Sequence, residues 1–190
     1  KRGAGSSSET PLAGFPHHSL NTYLPKLVKA GCRVAICDQL ENPKLTKTIV
    51  KRGVTELVTP GVALNDAILD HKKNNYLCAV FFGKKNIGIS FIDISTGDFW
   101  VGQGTQDIIA QFLQNFIPSE ILVAKPHKKI FESNFGLKLP TFFVEDWVFE
   151  NDFANEKLTS HFETNSLSGF GITDLFEGTN SAGAILHYLY

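Results

Sequence analysis

Four carboxylates, Asp93, Asp98, Glu145 and Asp146, are the residues best placed by type to do chemistry. A two-metal nuclease needs acidic side chains converging from separate strands so that paired cations flank one phosphate. Asp93 and Asp98, however, bracket Ser95-Thr96-Gly97, and Asp is favoured at such a turn for local hydrogen bonding. The turn reading is preferred, and the nuclease stays as the alternative. The histidines point no more firmly to a metal. His71, His127, His161 and His187 stand without a Cys or HExxH-type neighbour, and Cys32, Cys37 and Cys78 have neither CxxC nor Cys/His spacing. Neither GxxxxGK[ST] nor GxGxxG occurs, so no nucleotide cofactor is expected, and no serine sits in a GxSxG elbow.

Charge directs attention to the first third of the chain. With 18 basic and 19 acidic residues the net charge is -1, which excludes a globally polycationic binder. Yet Lys1, Arg2, Lys26, Lys29, Arg33, Lys44, Lys47, Lys51 and Arg52 all precede residue 53. Phosphate contacts are therefore expected there. His17 and His18 follow Pro16 at a loop-to-helix entry. They are equally a solvent-exposed helix start or a contact for a phosphate or base. Phe15, between Gly14 and Pro16, could touch a sugar or base, although a hydrophobic staple to the following helix is preferred.

These residues must be positioned by a mixed set of elements. Leu20, Tyr23, Leu24, Leu27 and Val28 repeat at helical spacing. They predict a helix from about Asn21 to Ala30, capped by Ser19 or Asn21, stopped by Gly31, and holding Pro25 near its first turn. Arg33–Cys37 predicts a buried strand, and Val54–Thr59 a second one ending at Pro60-Gly61. After a boundary at residues 63–74 come strands over Tyr76–Phe82, Ile87–Ile94 and Phe99–Val101, a meander on tight turns. A helix over Gln106–Phe116, a strand over Glu120–Ala124, a helix or turn over Lys128–Phe135 and a strand over Thr141–Val144 follow. Helices over Asp152–Phe162 and Ser181–Tyr190 close the chain. The fold class is α/β: a partial mixed-sheet domain over 1–62, a linker over 63–74, and a ribonuclease H-like domain over 75–190.

Read as a string, residues 12–62 resemble the MutS family of DNA mismatch-repair proteins. The matching runs are Ala13-Gly14-Phe15-Pro16-His17-His18, Lys26-Leu27-Val28, Val34-Ala35-Ile36-Cys37-Asp38-Gln39, Glu41 with Pro43, and Val58-Thr59-Pro60-Gly61. Phe91-Ile92-Asp93-Ile94-Ser95-Thr96-Gly97-Asp98-Phe99 is similar to that family's connector hairpin. Pro118-Ser119-Glu120-Ile121-Leu122 is similar to the strand after it, and Ala182-Gly183-Ala184-Ile185-Leu186 to its last helix. The resemblance implies the back part of a mismatch-binding domain and a connector without catalytic acids, inside a longer product; the chain has no methionine even at position 1. It implies DNA contacts at Lys1 and Arg2 first, then at Phe15, Pro16, His17 and His18, and thirdly at Lys51 and Arg52. It implies a mismatch wedge upstream of Lys1, and an ATPase with ATP and Mg far downstream. It also implies mismatched double-stranded DNA and a MutL-type protein as partners, a homodimeric whole with this chain monomeric, a cytoplasmic location and no membrane. A purely protein-interacting module is the remaining alternative.

Overall fold

The computed structural model describes residues 13–42, 45, 49–63, 73–136 and 139–190. Lys1, Arg2, Lys44, Lys47 and most of the segment 63–74 lie outside the described residues.

Among the described residues, the first lobe is one α-helix on a two-stranded ribbon. Helix α1 runs Leu20–Lys29, entered through a 3-10 turn at His17–Ser19. Its C-terminus follows the helix-stop signal closely. Gly31 takes φ +84°, its N–H donates to Val28 O at 2.9 Å, and the N–H of Cys32 donates to Leu27 O at 3.0 Å. This is the Schellman pattern, which satisfies carbonyls that a helix end would otherwise leave open. Two expectations fail at the other end. Ser19 is the N-cap residue but makes no side-chain cap bond, and Pro25 is buried well inside the helix rather than in its first turn. A proline there forfeits the hydrogen bond to the carbonyl four residues back, which burial of the ring beside Leu24 and Val28 offsets.

Strands β1 (Val34–Gln39) and β2 (Arg52–Val58) pair antiparallel with a bulge at Ile36/Cys37. The small core holds Leu24, Val28, Val58 and Ala63, with Leu20, Val34 and Ile36 against it. Strand β1 was expected to be buried, but it covers only one face, and Ala35 and Cys37 are exposed. A two-stranded ribbon has one side to bury against one helix, and alternation sends every second side chain to solvent.

The second lobe is a five-stranded sheet in the order β5-β4-β3-β6-β7. Its strands are β3 (Tyr76–Phe82), β4 (Ile87–Asp93), β5 (Asp98–Gly104), β6 (Glu120–Ala124) and β7 (Thr141–Val144). The first three form the expected meander. Strands β6 and β7 then add in parallel to β3, the mixed order expected of a ribonuclease H-like sheet. Helices α2 (Gln106–Phe116) and α3 (Lys128–Phe135) contribute to one core, with Cys78, Val80, Ile121 and Val123 beneath Ile109, Leu113 and Phe131. Helices α4 (Asn151–His161) and α5 (Phe176–Leu189) lie on the other face. There the alternate residues Leu77, Ala79, Leu122 and Ala124 pack with Val148, Phe149, Ala184 and Ile185. Full burial of each large apolar side chain contributes roughly 1.5–3 kcal/mol, so both faces of the sheet are committed.

Helix α5 begins five residues before the expected Ser181. Its first turn, Phe176-Glu177-Gly178-Thr179-Asn180, lacks an apolar stripe because the helix approaches the sheet there backbone to backbone. A Cβ on Gly88 would overlap the carbonyl of Glu177, and one on Gly178 would lie 2.7 Å from Gly102 O. Glycines at these crossings read as helix breakers in sequence.

Candidate functional site

The expected phosphate-contacting residues that the structure describes fall into two groups on the first lobe. Phe15 to His18 lead into α1, and all four are exposed. The Phe15 ring stacks on Tyr23 at 4.6 Å between centroids and 20° between planes, with the Lys26 ammonium 5.3 Å from the Tyr23 ring. Phe15 thus acts as the staple that the sequence favoured, yet at 38% exposure it retains an open edge. Pro16 accepts the N–H of Ser19 at 2.9 Å, which fixes the turn carrying His17 and His18. The second group, Lys51 and Arg52, stands where β2 begins, with Arg52 opposite Gln39. Lys51 donates its backbone N–H to Glu41 Oε2 at 3.4 Å and holds a loose ion pair with Glu41 Oε1 at 3.7 Å. Such an exposed pair is worth little and leaves the ammonium available. No hydrogen bond or ion pair among the described residues joins the two groups. Arg33, counted with the basic cluster in the sequence, is instead turned toward the second lobe, its guanidinium 3.6 Å from the Phe142 ring.

The four carboxylates do not converge. Asp93 pairs with Tyr76 at the start of β3, whereas Glu145 follows β7 beyond the level of Ala124. The strand register sets them about 20 Å apart along the sheet, far beyond the spacing that two metals on one phosphate require. Asp93 and Glu145 are also engaged locally. Asp93 is 1% exposed and accepts the N–H of Asn75 and both the N–H and hydroxyl of Ser95, at 2.9, 2.9 and 2.6 Å. Burial would raise the Asp93 pKa, but those bonds, with Ser95 foremost, outweigh it and lower it. Glu145 is ion-paired to Lys125. Among the described residues, no group of three or more His, Cys, Asp or Glu could hold a metal ion.

The most tightly built polar site is one that the motif reading missed. Glu120, first in β6, is 1% exposed. Its Oε2 accepts the Thr59 hydroxyl at 2.5 Å and the Gly61 N–H at 3.0 Å, and its Oε1 accepts the Tyr188 hydroxyl at 2.6 Å. Burial, and then the hydrogen bond to Glu120, push the Tyr188 phenol far above its ordinary range. Arg33 lies 5.3 Å from the Tyr188 ring. The carboxylate therefore binds the end of the first lobe to the sheet and last helix of the second.

Residues 1–67 match the family model for MutS domain I, and residues 75–190 match that for MutS domain II. The chain belongs to the MutS family. It is 64% identical over 189 residues to the DNA mismatch repair protein MutS of Flavobacterium psychrophilum, which covers all of this chain and 22% of that protein. The corresponding proteins of Flavobacterium johnsoniae and Bacteroides thetaiotaomicron are 65% and 56% identical over the same length, again at 22% coverage. The chain thus spans about a fifth of these curated relatives. The first lobe lies within the MutS domain I match, and the five-stranded sheet with its helices within the MutS domain II match. In this MutS-family chain Thr59 and Gly61 fall in the first match and Glu120 and Tyr188 in the second, so the buried carboxylate spans both. A sequence signal for it existed: a glutamate heading the apolar run Glu120–Ala124 must be paired if that run is buried. No helix among the described residues is long and apolar enough to cross a membrane.

Proposed function

We propose that this chain is the DNA-contacting and connecting part of a mismatch-recognition protein, with no catalytic role of its own. The observation that carries this reading is that the lobe matching MutS domain I bears the exposed residues His17, His18, Lys51 and Arg52. Lys1 and Arg2, outside the described residues, extend that set, and Phe15 and Pro16 add an apolar edge for a sugar or base. Residues 1–62 form the DNA lobe, 63–74 the link, and 75–190 the connector. The connector relays state to the rest of the protein and to a MutL-type partner. ATP and Mg serve the whole protein and are bound elsewhere than in this chain. The whole acts in the cytoplasm as a homodimer on mismatched double-stranded DNA, and this chain is monomeric. The nuclease alternative is set aside because its carboxylates sit at opposite ends of the sheet.

A salt titration of duplex binding tests the proposal. Weak binding, equal for matched and mismatched duplex, should fall with salt at a log–log slope of about -2 to -4, as expected for a few phosphate contacts. Arg2→Ala should weaken it. Absence of binding at low salt would move the chain's role to protein interaction. That second reading has its own support in Trp147, Phe170 and Phe176, which expose 44%, 51% and 62% of their surface on the connector.

A further inference from the structure

We infer that Glu120 is an interlobe lock, a single buried carboxylate that fixes the orientation of the first lobe on the second and whose release would let the lobes hinge. The inference is independent of what the first lobe binds.

The contacts that meet at the junction are local ones. Gly31 faces Pro140, where an added Cβ would lie 3.2 Å from Pro140 Cγ. Val62 packs on the sheet core of the second lobe, and Arg33 stacks over Phe142. Beside these, a crevice of about 330 Å³ opens between Val28 and Lys29 of α1 and Ile117, Pro118, Ser119, Leu139 and Pro140. Among the described residues the buried apolar side chains of the two lobes fall in separate clusters, bridged at the edge by Val62.

What joins them closely is polar and buried. Thr59 and Gly61 donate to one carboxylate oxygen and Tyr188 to the other. A second tie lies nearby, where the Asn75 side-chain amide donates to Pro60 O at 3.0 Å and the Asn75 N–H donates to Asp93. Residues 59–61 are thereby clamped from both sides, at the base of β6 and at the base of β3. Charge-assisted hydrogen bonds of this kind are directional and strong when satisfied. Removing the acceptor leaves the Gly61 N–H without its buried partner and leaves the Thr59 and Tyr188 hydroxyls only each other, which favours opening the junction so that water can reach them.

The test uses the full 190-residue chain with the exposed Cys32 and Cys37 changed to serine and spin labels at Lys26→Cys and Lys85→Cys, one on each lobe. A single narrow distance distribution is expected in this background. Glu120→Ala should broaden it at least about twofold. The Gly61 amide should exchange with deuterium about tenfold faster, while amides of Leu77–Val80 keep their protection. If Glu120→Ala does not fold, Thr59→Val combined with Tyr188→Phe should give the same broadening, because it removes two of the donors and keeps the sheet strand intact. An unchanged distribution with unchanged Gly61 exchange in either folded variant would overturn the lock. Collapse of both variants would overturn it too, since Glu120 would then be a determinant of the fold itself.

Discussion

Asp93 accepts the backbone N–H of Asn75 at 2.9 Å, although the two residues lie on opposite sides of the β3–β4 hairpin. The bond holds the start of β3 to the end of β4, where the ladder pairs Tyr76 with Asp93. The most suggestive acid in the sequence is thus fully occupied by a structural task.

Asp93→Ala should therefore act on stability. Losing a buried acceptor for Asn75 and Ser95 costs about 2 kcal/mol, seen as a lower urea midpoint, and duplex affinity should stay unchanged. The pH dependence has a definite sign. Because the folded-state pKa of Asp93 lies below its ordinary value of 3.8, its contribution is present above that value and lost as pH falls through the folded pKa. The parent should lose stability in acid below about pH 4, and Asp93→Ala should lose less over the same range.

His127 should give a second pH effect, at milder acidity. Burial pushes its imidazole below the ordinary 6.5, with Asp146 opposing. Its ring lies edge-on to Phe81 and Phe82 at 6.0 and 5.4 Å. Burial, and then Lys157, push His187 the same way. A depressed histidine stabilises the fold above its ordinary pKa, and that stability is lost as pH falls through the folded value. The thermal midpoint should be lower at about pH 5.5 than at about pH 7.5. His127→Phe should shrink the difference.

The seating of α5 on the sheet should be intolerant of a single methyl group. Gly88→Ala places a Cβ into the backbone of Glu177, and overpacking against backbone costs about 3 kcal/mol or more. Gly169→Ala, where nothing lies within 4 Å of the new atom, serves as the control and should be close to neutral. Thermal unfolding of the two variants beside the parent checks both.

The elements with strong periodicity were legible in the sequence. The meander followed from β-formers separated by Gly83-Lys84-Lys85-Asn86 and Ser95-Thr96-Gly97-Asp98, and α2 from its apolar stripe. The first turn of α5 was hidden because Gly178 packs by having no side chain. Core residues Val148 and Phe149 lie in a 3-10 turn too short to show a period. The exposed groups at Phe15–His18 and Lys51–Arg52 were readable as charge and loop signals. Glu120 showed only as a charge heading an apolar run; its partners Thr59 and Tyr188 did not show, because they stand 61 and 68 residues away and only the folded chain unites them.

Whether the first lobe carries the DNA contact is tested most directly by removing two charges from each lobe in turn and measuring duplex affinity across salt. Lys51→Ala with Arg52→Ala should weaken binding about tenfold and flatten the log–log salt slope by about 2. Lys84→Ala with Lys85→Ala, at the exposed hairpin of the second lobe, should leave both unchanged. Equal losses from the two pairs, or a loss from the hairpin pair alone, would contradict the account.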